Sequence, residues 1–224
     1  MDKGLISPLH NLVASLVPGL PQAQSAVQLV RAYDAYRGKH RADKLAQGLE
    51  LAWSCMDESD QKSFDTLCHD PHFREQAVEY IEAALNTPSE ILIKAIALLM
   101  LNDPDCRLDG AQKERFVHGF TGLSDQAVSV YLSLVKTEKF TERLYDIHLV
   151  SNKYPLEDND TSPEIILMMH QSFLNRGILL PDQANSGSFF DSGDRDPNDW
   201  FVRFGVSDEI NQYRALLEKA KALG

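Results

Sequence analysis

The chain has 224 residues, enough for one sizeable core or for a main domain with a smaller appendage. Its 43% hydrophobic and 25% charged content is that of an ordinary globular protein, and its formal charge of −11 argues against broad DNA binding, which depends on cations meeting phosphates. The three cysteines, Cys55, Cys68 and Cys106, are too few for a disulfide framework, so a reducing, cytoplasmic setting is expected.

Leu9, Leu12, Val13, Leu16, Val17 and Leu20 recur at helical spacing and predict an amphipathic helix ending near Pro18-Gly19. Its polar face carries His10, Asn11 and Ser15 but no Lys or Arg, so docking on the protein's own core is favoured over a membrane surface. Asp2 cancels Lys3, and His10, Asn11 and Pro18 interrupt the apolar run, which does not suit a signal peptide. No stretch approaches the ~20 apolar residues that cross a bilayer.

Pro21 opens a long predicted helix over 22–56 that bends or breaks near Gly38, its second apolar stripe being Ala42, Leu45, Ala46, Leu49, Ala52, Trp53 and Met56. Residues 31–44 hold Arg31, Arg37, Lys39, Arg41 and Lys44 against Asp34 and Asp43, a local +3. Helical spacing places Arg37, Arg41 and Lys44 on one face, a candidate site for an anion or nucleic acid. The competing reading is a solvated face paired with the protein's own acids.

Cys68, His69, Asp70 and His72 crowd together in "CHDPH" and are all metal-ligand types. Cys68, His69 and His72 are therefore the candidate metal ligands. Against them, Asp70 is a good N-cap, Pro71 is a good first helical residue, and a tight site needs three or four ligands. The favoured reading is a junction between two helices, one ending near Cys68 and the next starting at Pro71.

"TPSE" at 87–90 predicts a capping box in which Thr87 and Glu90 open a helix through Leu101. That helix is apolar all round and is expected to be the most buried. "NDPDCRLDG" spaces Asp103, Asp105 and Asp109 like a calcium loop but puts Arg107 and Leu108 where an oxygen ligand and a glycine are needed. A turn with Asp109 as N-cap is preferred. Helices follow over 110–119 and from Ser124, the latter burying Ala127, Val130, Tyr131, Leu134 and Val135. A short helix is expected over 141–150, with His148 as a core histidine.

"SNKYPLEDNDTSP" reads as a boundary. Beyond it come a helix, a short strand in "GILLP", a long polar turn, a strand with Trp200, Val202, Phe204 and Val206 on its buried face, and a helix capped by Ser207. The turn's Asp191, Asp194, Asp196 and Asp199 are better read as a solvated loop than as a hard-cation site. This order looks like half of a winged helix. Residues 151–224 hold seven Lys or Arg against twelve Asp or Glu, a net −5, which favours protein contact over DNA reading.

In order, "LVPGLPQAQSA", the basic "RGKHR", "CHDPHFREQAVEYIEAALNTPSEILIKAIALLML", "LSDQAVSVYLSLV", "FLNRGILLPD" and "FVRFGVSDEI" give the chain a resemblance to uncharacterised bacterial and prophage helical proteins of the abortive-infection alpha type. The resemblance implies a helical protein of bacteria or prophages tied to phage defence. It carries no catalytic residues to transfer.

The motifs of a nucleophile elbow, a phosphate-binding loop, a dinucleotide fold and a zinc protease are all missing from the sequence. The expected fold is mainly α: a multi-helix bundle over 1–150, a linker at 151–162, and a small C-terminal winged-helix-like α+β part with a β-hairpin over 163–224. The expected function is a non-enzymatic binding or regulatory module without a cofactor, meeting a protein partner or a second copy of itself. The alternatives are a nucleic-acid binder using 31–44 and a hydrolase assembled from distant residues.

Overall fold

The computed structural model describes residues 39–141, 144–153, 156, 161–182 and 200–223. The helix expected over 9–20, the first half of the helix expected over 22–56, Arg37 and the Asp191–Asp199 loop lie outside the described residues. The described chain is mainly helical, with eight helices and one four-stranded antiparallel sheet. Its residues fall into two compact units, one holding 39–125 and 216–223, the other 126–215. No helix among the described residues is long and apolar enough to cross a membrane.

The first unit is helical: α1 Lys39–Ser54, α2 Glu58–Leu67, α3 Pro71–Asn86, α4 Glu90–Met100 and α5 Gly110–Phe120. As its all-round apolar sequence predicts, α4 is the most buried, with every residue from Leu92 to Met100 inside. Against it α1 lays Ala42, Leu45, Ala46, Leu49, Ala52 and Trp53 of the predicted stripe, while Met56, its last member, lies past the end of α1 at Ser54 and is only partly buried. A Cβ at Gly48 would already meet Ala97 Cβ at 3.4 Å and Lys94 Cα at 3.5 Å, so the helices are close there. Trp53, Phe64 and Phe73 then link α1, α2 and α3 by two edge-to-face contacts, each with centroids 5.8 Å apart.

The junction in "CHDPH" forms as the sequence predicts. Asp70 accepts from the His72 backbone N–H at 2.9 Å, Pro71 starts α3, and Arg74 Nε donates to the Cys68 carbonyl at 2.9 Å. Asp109 likewise forms a capping box with Gln112 at the start of α5. The expected box at Thr87 and Glu90 does not form. Thr87 closes α3, and Pro88 leaves it extended at φ −101° and ψ 130°. Ser89 is the cap of α4, accepting from the Leu92 N–H at 3.1 Å.

The second unit holds most of α6 (Asp125–Lys136), β1 Lys139–Thr141, β2 Asp146–Ser151, α7 Pro163–Asn175, β3 Leu180–Pro181, β4 Phe201–Val206 and the first half of α8 (Asp208–Ala222). The strands run in the order β1-β2-β4-β3, all neighbours antiparallel. Residues 141–150, expected as a helix, instead contribute to β1 and β2. β2 is an inner strand, paired on both sides, so long-range pairing overrides weak local preference. Ile147, His148, Val150 and Ser151 are all buried, which erases the alternation that would have marked a strand. The β2–β4 ladder, from Asp146 opposite Val206 to Ser151 opposite Phe201, pairs residues before the linker expected at 151–162, and Ser151 of that linker itself, with residues after it.

Candidate functional site

The basic face of α1 is turned to the protein's own helices. Arg41 Nη1 donates to the Leu85 carbonyl at 2.8 Å, satisfying an acceptor in the last turn of α3. Lys44 Nζ lies 2.5 Å from Glu90 Oε2, and Lys94 Nζ lies 3.5 Å from the same carboxylate. The Lys44 hydrogen bond is the main reason that the Glu90 carboxyl is held below its ordinary range. Two of the three cations proposed for an anion are therefore engaged within the chain.

The "CHDPH" residues are not brought together around a point. Cys68 is 1% exposed, while His69 and His72 face outward. Burial, reinforced by the charge of Asp65, pushes the Cys68 thiol up to about 12, so it stays protonated and is neither a ready ligand nor a nucleophile. Among the described residues no group of three or more His, Cys, Asp and Glu side chains could hold a metal ion. Beside the junction is an open cleft of about 410 Å³, whose walls include Asp70, His72, Glu75 and Glu79 on one side and Lys113 and Glu114 on the other. The acidic loop after α4 is already filled: Lys219 Nζ sits 2.8 Å from Asp103 and 2.6 Å from Asp105, where a cation would have to go.

The second unit offers a different surface. Along β4, Val202, Phe204 and Val206 are buried, while Phe201 and Arg203 belong to the opposite face. Gly205 shares that face, and a Cβ there would stand 2.1 Å from Tyr145 Cε2, so the ring lies directly on the strand. Tyr145 Oη donates to the Pro181 carbonyl at 2.6 Å, which ties the ring to β3. Arg203 pairs with Asp182 at 2.9 Å, and its guanidinium stands 5.9 Å from the centre of the Phe140 ring. Phe140 is 63% exposed and Phe201 45% exposed.

Beneath this face two histidines meet Phe204. His148, opposite Phe204 in the ladder, stacks on it with centroids 5.7 Å apart, and His170 of α7 leans on it at 5.8 Å. His148 Nδ1 lies 3.2 Å from Thr137 Oγ1, and His170 Nε2 lies 3.3 Å from the Arg203 carbonyl oxygen. Burial lowers the pKa of both imidazoles.

The Phe140–Arg203–Phe201 cluster was not among the residues singled out from sequence. Phe201 and Arg203 were visible as the alternate positions of a predicted strand. Phe140 was not, because the segment that pairs it into the sheet reads as a helix. No protein-family model, curated protein or solved structure matches the chain.

Proposed function

We propose that the chain is a non-enzymatic binding or regulatory module of a bacterial cell or prophage, and that the Phe140–Arg203–Phe201 face receives a protein partner. The observation that carries this is the exposure of two phenylalanines beside an arginine already matched by Asp182. Aromatic side chains and Arg are the residue types that dominate binding energy at protein interfaces. The partner we favour is a cationic polypeptide with an apolar anchor. Residues 126–215 carry eight Lys or Arg against fourteen Asp or Glu, a net −6 within a chain of −11, so a basic rim is attracted and a nucleic-acid backbone repelled. Phage defence is the setting that the resemblance implies.

A photo-crosslinking amino acid at position 140, used in the native cell, tests the reading. The expected result is a crosslink to a basic polypeptide whose association weakens with salt and is lost in Phe201→Ser. Crosslinks to nucleic acid, or capture unchanged by Phe201→Ser in a folded protein, would overturn it.

A further inference from the structure

We propose that His148 and His170 form an acid-sensitive lock on Phe204, and that protonating them loosens β4 and dismantles the Phe140–Arg203–Phe201 face. Its consequence for binding rests on the function proposed above; the lock itself does not. The hydrogen bonds fix which ring nitrogens carry a proton. The Thr137 hydroxyl spends its own proton on the Leu134 carbonyl at 2.7 Å, so at His148 it accepts, and His148 is protonated on Nδ1. The Arg203 carbonyl only accepts, so His170 is protonated on Nε2. Each contact is complete with a neutral ring. A second proton places a charge in the buried setting of His148 or the half-buried one of His170, and the faces of the one Phe204 ring replace little of the water lost.

The surroundings do not supply enough compensation. Facing His148, the Thr137 backbone and then Asp146 on β2 favour the cation, while Arg214 on α8 and Lys139 on β1 oppose it; desolvation is larger than any of them. Facing His170, the Arg203 carbonyl of β4 favours the cation, and desolvation again prevails. The link to the surface is direct. His170 holds the backbone of the very residue whose side chain pairs with Asp182 and lies over Phe140.

The direction follows from linkage. Both rings are harder to protonate when folded, so the unfolded strand binds more protons, and stability falls as pH drops below the ordinary imidazole value of about 6.5. Until the lowered folded values are reached, each histidine shifts the opening equilibrium by about tenfold per pH unit.

Amide hydrogen exchange of the full chain tests the lock without any partner. Between about pH 7.5 and about pH 5.5, the protection factors of β4 amides should fall, by up to about tenfold for each histidine, while those of α4 hold. In His148→Asn with His170→Gln, which keep a donor at each position and do not titrate, the fall should shrink to within about threefold. An equal fall in that variant, or none in the wild type, overturns the lock. If the double variant does not fold, imidazole resonances of the wild type decide: His148 and His170 must titrate below the ordinary imidazole value of about 6.5, and titration at or above it overturns the proposal. A strand that loosens as expected on a chain that captures no polypeptide would remove the proposed function alone.

Discussion

The ring of Tyr145 rests on Gly205 more closely than any side chain at 205 would allow, with 2.1 Å from Cε2 to the place a Cβ would take. The hydroxyl of the same ring is held by the Pro181 carbonyl, so the ring has no easy retreat. Gly205→Ala is therefore expected to cost about 1–3 kcal/mol of stability, the usual range for overpacking a filled site. Tyr145→Phe keeps the ring and loses only the hydrogen bond, for about 1 kcal/mol. Urea unfolding of the two variants checks the order. A Gly205→Ala protein as stable as wild type would mean that the ring moves freely.

The entry to α4 gives a second prediction. Ser89 both accepts from the Leu92 N–H at 3.1 Å and lies 2.5 Å from Asp125 Oδ1, while Thr87 Oγ1 accepts from the Gly122 N–H at 2.9 Å. Gly122 has φ +85°, and the bond from Thr87 is part of what satisfies that turn. Ser89→Ala should cost about 1–2 kcal/mol, as loss of an N-cap does. Thr87→Val should cost about 1–3 kcal/mol, because it removes the acceptor of the Gly122 N–H. Were Thr87 the cap of α4, its replacement would fray α4 first; hydrogen exchange should instead show the turn at Gly122 opening.

Glu90 shows why local chemistry read the start of α4 only in part. From sequence, a carboxylate three residues after a threonine looks like half of a capping box, and nothing local reveals Lys44, 46 positions earlier in the chain. The stripe from Ala42 to Trp53, the cap at Asp70 and the burial of α4 were legible because each depends on neighbours within a few turns. Ile147 and His148 were misread because their partners, Gly205 and Phe204, lie more than 50 residues away and both faces of β2 are covered. The exposed cluster was hidden for the same cause: Phe140 and Arg203 become neighbours only through that ladder.

Thiol chemistry separates the three cysteines. Cys55 is exposed, Cys106 is partly covered, and Cys68 is buried with its thiol pushed up to about 12. Burial raises the Cys106 thiol as well. An aromatic disulfide reagent at neutral pH should therefore label Cys55 first, Cys106 more slowly, and Cys68 only on unfolding, since the thiolate is the reacting form. Peptide mapping of the labelled sites checks the order. Early labelling of Cys68 would show that its thiol is reachable in the folded chain.

The clasp between Lys219 and the loop after α4 has a pH dependence of its own. Burial works against the ammonium, but hydrogen bonds to Asp103 and Asp105 outweigh it and raise the Lys219 pKa. The hydrogen bond from Lys219, and then its charge, hold the Asp105 carboxyl below its ordinary range. The raised lysine contributes stability that is whole below its ordinary value and is lost as pH climbs through the raised one; the lowered carboxyl contributes stability that is whole above its ordinary value and is lost in acid. Lys219→Met should therefore flatten both limbs of the stability profile and destabilise the plateau between them, chiefly by leaving the buried Asp103 without its ammonium. In Asp103→Asn with Lys219→Met the loss should be smaller than the sum of the two single variants, because the second change removes the charge that the first stranded. Additive losses would show that Lys219 stabilises the first unit by packing its aliphatic stem and not through the ion pair.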